Sequence, residues 1–421
     1  MIARTRGLLA VAIASGTCVV ACGALIGTRD LTLVEGENDG GTTLVDGTTP
    51  AIDSNVPAPD ANGTGDDDGS ITTDSGPDAA CTGATNLQGD NANCGVCGHS
   101  CLGGACSTGF CQPIAIATGQ DGAYAVVVDD TSVYWVSYTG NTVMKSAKDG
   151  TALTLLANTN VDSPWNLAVD ATYVYWTNLG GSIARCAKSG CGSTGQVLAT
   201  NLNSPEGIAV DTAHVFWGEY QGYDVGRMST DGGAFGYLQT NLNHAYEVAI
   251  DDASVFFTTQ DTIGSMPKGA VTVPTGDYDA AAGFTTVASI PIGGFGIAVD
   301  DTNVYWVEDD DPGRVAFAPK TGTSDGGATL AGGQHYPARI ALDDANVYWV
   351  AYGPDTSPNQ NTSLFVDSYV ATCPKTGCTA GQKILAGALK NARGIAVDDK
   401  AVYWALAGNT SGEGAIVRLA K

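Results

Sequence analysis

The stretch Gly296-Ile-Ala-Val-Asp-Asp-Thr-Asn-Val-Tyr-Trp306 decides the fold of this 421-residue chain, because recognisable copies of it occur seven times. Aligned on the Asp that ends the GIAVD run, the copies fall at Asp129, Asp170, Asp211, Asp251, Asp300, Asp343 and Asp398, in steps of 41, 41, 40, 49, 43 and 55 residues. An apolar run precedes each Asp. Val stands four residues after it, at Val133, Val174, Val215, Val255, Val304, Val347 and Val402. Tyr or Phe follows, then Trp in six copies and Phe257 in the fourth. A period of this length marks stacked supersecondary units, none of which can bury its apolar surface alone.

Successive side chains of a strand point to opposite faces, so Val304 and Trp306 share one face and Tyr305 takes the other. Apolar residues on both faces mean a strand buried on both sides. The run before each Asp reads the same way. A third strand follows, as at Ser182 to Lys188, Arg314 to Lys320 and Ala415 to Lys421, and a fourth short one at Val197-Leu198-Ala199 or Ile384-Leu385-Ala386. Gly- and Asp-rich turns separate the four. Four short antiparallel strands per unit, packed on both neighbours, make a β-propeller blade. The fold class is therefore all-β: a seven-bladed β-propeller of four-stranded antiparallel blades over residues 112–421. The seventh copy lacks a fourth strand, and Pro113 to Thr118 precedes the first copy like an orphan strand. These two are predicted to pair and close the ring. Asp300 is expected to cap the turn between the first two strands, where Asp accepts local backbone N–H bonds.

Upstream of the repeat the composition changes. Arg4 and Arg6 precede an apolar run, Gly7 to Thr17, that is too short to span a bilayer, and Val19-Val20-Ala21-Cys22 follows. This order resembles a bacterial lipobox. The resemblance implies a signal peptide over 1–21, a lipidated Cys22, and export to the outer membrane with contact to the membrane through that lipid alone. Residues 22–80 hold twelve acids against the single base Arg29 and few large apolar residues, so they are expected to form a disordered acidic tether.

Export implies an oxidising compartment, in which cysteines pair. Of twelve Cys, Cys18 falls in the leader and Cys22 takes the lipid. Cys81, Cys94, Cys97, Cys101, Cys106 and Cys111 crowd a module over 81–111, with pairing open among fifteen alternatives. Cys94-Gly-Val-Cys97 beside His99 also has the look of half a zinc site, but the compartment favours disulfides. Cys186 with Cys191 and Cys373 with Cys378 occupy the same turn of blades two and six and are predicted to form local disulfides.

Three resemblances bear on function. The Asn-Cys-Gly-x-Cys-Gly spacing resembles small cysteine-rich modules of exported myxobacterial proteins, which implies a spacer or interaction module. The pattern GIAVD-x-x-x-VYW, with Val174-Tyr175-Trp176-Thr177-Asn178 as its nearest copy, resembles the YWTD-type repeat of lipoprotein-receptor-like propellers. More weakly, the seven-fold ring resembles virginiamycin B lyase-like and lactonase propellers. The lyases use His and Glu near the channel with a divalent metal, and no Glu of this chain has a His two residues after it.

Net charge is −25, with 44 acids against 19 Lys and Arg, which argues against nucleic acid as a partner. Repeated residues are explained by packing, so a site is sought where the blades differ. Five positions before each Asp stand Tyr124, Trp165, Glu206, Tyr246, Phe295, Ala338 and Arg393. One position later come Asn166, Glu247 and Arg339 where other blades use Gly or Ala, and Glu308 follows the second strand of blade five. Aromatics with Arg and acids at a channel mouth suit a protein or glycan ligand. Glu206, Glu247 and Asn166 offer oxygens for a divalent cation such as calcium. No nucleophile–base pair, phosphate loop or HExxH motif appears. The expectation is a lipid-anchored, extracytoplasmic, non-catalytic binding propeller. The competing expectation is a metal-dependent lyase or lactonase using the acids of the mouth with His244 or His335.

Overall fold

The computed structural model of the chain describes residues 86–270, 283–323, 325–354, 367–378 and 381–421. The expected leader, Cys22, the tether, Cys81 and most of the blade-six insertion from Tyr352 to Ser363 lie outside them.

Seven four-stranded antiparallel blades surround a central channel. Blade five, which holds the opening stretch, runs Gly294–Val299, Asn303–Glu308, Gly313–Pro319 and Ala328–Gln334 from the channel outward. Blade seven is made from both ends of the repeat: Ala392–Val397, Ala401–Leu406 and Gly414–Ala420, completed by Ile114–Gln120. Ile114 pairs with Arg418 and Gln120 with Gly414, so the predicted closure is present and the closing strand runs two residues beyond Thr118. In blade one a short strand, Ser193–Thr194, is added in parallel to the outer edge.

The period-two reading of the second strand holds. Val304 and Trp306 pack with Phe256, Ile263 and Val287 of blade four, while Tyr305 and Val307 pack with Ile340, Val347 and Trp349 of blade six. All six blade tryptophans are fully buried. Four of their indole N–H groups donate to a side-chain oxygen: Trp135 to Gln120 at 3.0 Å, Trp217 to Glu219 at 2.9 Å, Trp306 to Glu308 at 3.1 Å and Trp349 to Gln334 at 2.9 Å.

Asp300 does cap its turn. One carboxylate oxygen accepts N–H bonds from Thr302 (2.9 Å) and Asn303 (2.8 Å). The other accepts from the Tyr305 hydroxyl at 3.0 Å and from Lys375 of blade six at 3.0 Å. Burial alone would raise this carboxyl, but the two backbone N–H groups, Lys375 and Tyr305 override it and hold Asp300 well below the ordinary carboxylate range. The same blade-to-blade pair recurs as Asp129–Lys188, Asp211–Lys268, Asp251–Lys320, Asp343–Lys421 and Asp398–Lys148, at 2.7–3.0 Å. Among the described residues the ring has one gap, at Asp170. There blade three puts Thr230 in the lysine's place, bonding Ala213 O through its N–H as Lys188 bonds Thr172 O.

The predicted disulfides Cys186–Cys191 and Cys373–Cys378 are formed. In the cysteine module Cys94 pairs with Cys106 and Cys101 with Cys111, and Cys97 is disulfide-bonded too, so neither Cys94 nor Cys97 is available to a zinc ion. The described part of the module is docked on the propeller rather than detached from it. The Arg418 guanidinium donates to Leu102 O, and the His99 ring bridges Cys94 O and Lys421 O.

Candidate functional site

Each innermost strand is irregular where it starts, at the face opposite the Asp turns. In blade one the ladder slips between Ala123 and Val126, in blade two between Pro164 and Asn166, and in blade three between Pro205 and Ile208. Blades five, six and seven slip at the same place. A β-bulge kinks its strand and re-aims the side chains within it. The bulged residues are Tyr124, Trp165, Glu206, Phe295, Ala338 and Arg393, the positions at which the copies vary most. In blade four the regular ladder starts only at Val248. Tyr246 and Glu247 are instead held by N–H bonds to Thr258 O (3.0 Å) and Thr258 Oγ1 (3.1 Å).

The next position alternates around the ring. Odd blades carry Ala125, Gly207, Gly296 and Gly394, and even blades carry Asn166, Glu247 and Arg339. The small residues are required by close approach: a Cβ on Gly207 would lie 2.5 Å from Glu247 Cα, and one on Gly394 would lie 2.6 Å from Tyr124 O. The three long side chains meet across the channel. Asn166 Nδ2 donates to both Glu247 oxygens at 2.7 and 2.9 Å, and Arg339 ion-pairs with the same carboxylate. Burial opposes charge on Arg339, but Glu247 and nearby groups outweigh it and raise its pKa.

Two of the three residues expected to offer oxygens to a cation, Asn166 and Glu247, thus face each other. A carboxylate only accepts, so Asn166 must face Glu247 with its N–H₂ and not its oxygen. A guanidinium already neutralises Glu247. Glu247 and Arg339 therefore make an ion pair braced by the Asn166 amide, an arrangement unlike the oxygen cage a hard cation needs. Among the described residues the one convergence of three metal-type ligands is Cys94, Cys101 and Cys106, all in disulfides.

Around this knot the rim is aromatic. Tyr124 lies 4.4 Å from Trp165, Tyr138 lies 6.0 Å from Trp165, and Tyr246 stacks on Phe295 at 4.8 Å. Tyr220 adjoins Tyr246 at 5.4 Å, and His244 stacks on Tyr220 at 4.3 Å. Arg393 sits over the rings of Tyr352 (4.4 Å) and Tyr124 (5.5 Å). Burial pushes the Glu206 carboxyl up to about 8, with Arg339 opposing, and pushes Asp309 up to about 6, with Arg393 opposing. Between blades seven, one and two the rim opens into a cavity of about 470 Å³, walled by Tyr124, Tyr138 and Trp165 on one side and by the loop Ala407 to Ser411 on the other, with Arg393 in its lining.

The structure thus brings Tyr124, Trp165 and Arg393 together, joins Tyr246 to Phe295, and joins Glu247 to Arg339, with Glu206 close enough to feel Arg339. It does not bring Glu308 to the mouth. That carboxylate is buried, accepts the Trp306 N–H, and ion-pairs with Arg314 at 2.7 Å. Glu308 lies two residues beyond Trp306 on the same strand face and serves the blade. The half-buried acid of this loop that feels Arg393 is Asp309, one residue on. Tyr138 was not among the expected residues, yet it had a signal: the residue just after the second strand is aromatic at Tyr138, Tyr220 and Tyr352 alike.

Among solved structures the chain is similar to a virginiamycin B lyase from Staphylococcus aureus, at 16% identity and TM-score 0.54, covering 74% of this chain and 98% of that one. A streptogramin B lyase matches at 14% identity and TM-score 0.54, over 74% and 97%. The WD40 propeller domain of Doa1 matches at 13% and 0.54, over 73% and 96%. An enzyme fold and a WD40 fold are matched equally well, so the likeness establishes the propeller and nothing about activity. No protein-family model matches the chain, and no curated protein matches it significantly.

Proposed function

We propose that this chain is a lipid-anchored binding propeller of the cell envelope, non-catalytic, whose channel mouth takes a saccharide. The observation that carries the reading is the rim itself: aromatic faces from several blades set beside recessed polar groups. A sugar presents apolar C–H faces and a fringe of hydroxyls, and such a rim matches both. A recess of about 470 Å³ suits a small ligand better than the flat face of a folded partner. Anchoring rests on Val19 to Cys22 and on the oxidised cysteines.

Trp165 provides the test. The other six tryptophans are fully buried in the blades, so a fluorescence change on adding oligosaccharide reports on the mouth. Binding on a glycan array, with a Trp165 signal absent from Trp165→Phe, supports the reading; an array without hits overturns it. Incorporation of an alkyne fatty acid, abolished in Cys22→Ser, tests the anchor. Glu206, which holds its proton near neutral pH, favours a lyase as the second reading; turnover of quinupristin with and without added divalent metal, lost in Glu206→Gln, would establish it.

A further inference from the structure

We infer that the cavity between blades seven, one and two receives an acidic sugar whose ring carboxylate faces Arg393. This rests on the saccharide reading and narrows it to a ligand class. The chain carries net charge −25, yet no Asp or Glu lines this cavity. Its one ionised lining residue is Arg393. Elsewhere buried or half-buried arginines are matched: Arg185 with Asp231, Arg314 with Glu308 and Arg339 with Glu247, while Arg227 and Arg418 donate to backbone carbonyls. Arg393 has neither kind of partner among the described residues. It contacts the faces of Tyr124 and Tyr352 and hydrogen-bonds the Tyr352 side chain, and its buried Nε–H has no acceptor. Asp309 senses it from beyond ion-pair distance.

A second donor is unmatched in the same lining: the buried Trp165 Nε1–H also lacks an acceptor. Buried donors left unpaired are destabilising and call for an explanation, and a ligand that supplies the missing acceptor is one; within the blades the Trp176 and Trp404 indole N–H groups are unpaired as well. A carboxylate is acceptor-only and pairs with a guanidinium through charge-assisted bonds. The remaining lining fits the rest of a sugar. Tyr124, Tyr138 and Trp165 present ring faces, and Asn409 and Thr410, with Ser411 beside them, present amide and hydroxyl groups. The loop bearing those three is pinned to blade one, because Asp121 Oδ1 accepts from Ser411 Oγ and Gly412 N–H, each at 2.6 Å. That acid is thereby spent on the wall and is not part of the lining.

The test compares an oligogalacturonate with its methyl ester of equal length, titrated into the full chain by calorimetry at fixed pH and ionic strength. The acid is expected to bind about tenfold or more tightly than the ester, since a hydrogen bond to a charged group is stronger than one to a neutral group. The preference should vanish in Arg393→Gln and survive in part in Arg393→Lys. Acid and ester binding equally would overturn the inference and leave the saccharide reading standing. Neither binding, with no hit among neutral or sulfated oligosaccharides, would overturn both. A sulfated oligosaccharide preferred over the uronate would overturn the assignment to a carboxylate. The wild-type comparison needs no variant, so a folding defect in Arg393→Gln leaves the test intact.

Discussion

Replacing Asp300 tests how the blades are joined. In Asp300→Ala the turn loses acceptors for the Thr302 and Asn303 N–H groups, the Tyr305 hydroxyl loses its partner, and Lys375 loses its counter-ion. The turn and hydroxyl bonds contribute on the order of 1 kcal/mol each. The ion pair contributes about 1 kcal/mol, at the upper end for exposed pairs because both side chains are mostly buried. The variant should lose about 4 kcal/mol in urea unfolding followed by tryptophan fluorescence. A double-mutant cycle with Lys375→Met should return a coupling of about 1 kcal/mol. The pH dependence has a definite sign. Asp300 is depressed in the fold, so its contribution is present above its ordinary value of 3.8 and is lost as pH falls through the lower folded value. The gap between wild type and variant should therefore narrow in acid. A deficit below about 1 kcal/mol, a coupling of zero, or a gap unchanged from pH 6 to pH 3 would refute the account.

Trp306→Ala should cost about 3–5 kcal/mol through the cavity it opens, seen as a lowered urea midpoint, while saccharide binding at the mouth is unaffected in the molecules that remain folded. Thr230→Lys should fill the gap opposite Asp170 and raise the urea midpoint by the equivalent of about 0.5–1 kcal/mol; no gain would mean that the position is not equivalent to the other six. Glu206 is raised to about 8 in the fold from 4.5, so it contributes stability below pH 4.5 that is lost as pH rises through 8. Urea midpoints of the wild type should fall over that window more steeply than those of Glu206→Gln.

The fold was legible because it repeats. Seven copies of one motif fix the strand order, and Ile114–Gln120 was recognisable as the strand missing from the last copy. The Asp–Lys ring was not legible, because each lysine stands in the blade after its aspartate and pairs with nothing near it in sequence. Glu308 was misplaced for a simpler reason. The alternation that puts Val304 and Trp306 on one face also puts Glu308 there, and following it two residues further would have assigned the carboxylate to the indole. Asn166, Glu247 and Arg339 were visible as departures from Gly and Ala. That they meet could not be read, because it depends on blades two, four and six facing one another across the axis. Disulfide pairing in the cysteine module likewise needed coordinates.

The clasp in blade seven also sets a timetable. Ile114 pairs with Arg418, 304 positions later. Closing a free coil of that length would cost on the order of 5 kcal/mol in chain entropy. The cost is offset only as the intervening blades stack into an arc that brings its ends together. During synthesis from the N-terminus, Ile114–Gln120 emerges before any blade and has no partner until the strand Gly414–Ala420 exists. Through that interval it is an unpaired, apolar edge of the kind that joins wrong neighbours. The disulfide Cys101–Cys111 just before it closes across 10 residues and needs nothing made later. That disulfide can thus form early, while the first strand of the ring to be made is among the last to find its place.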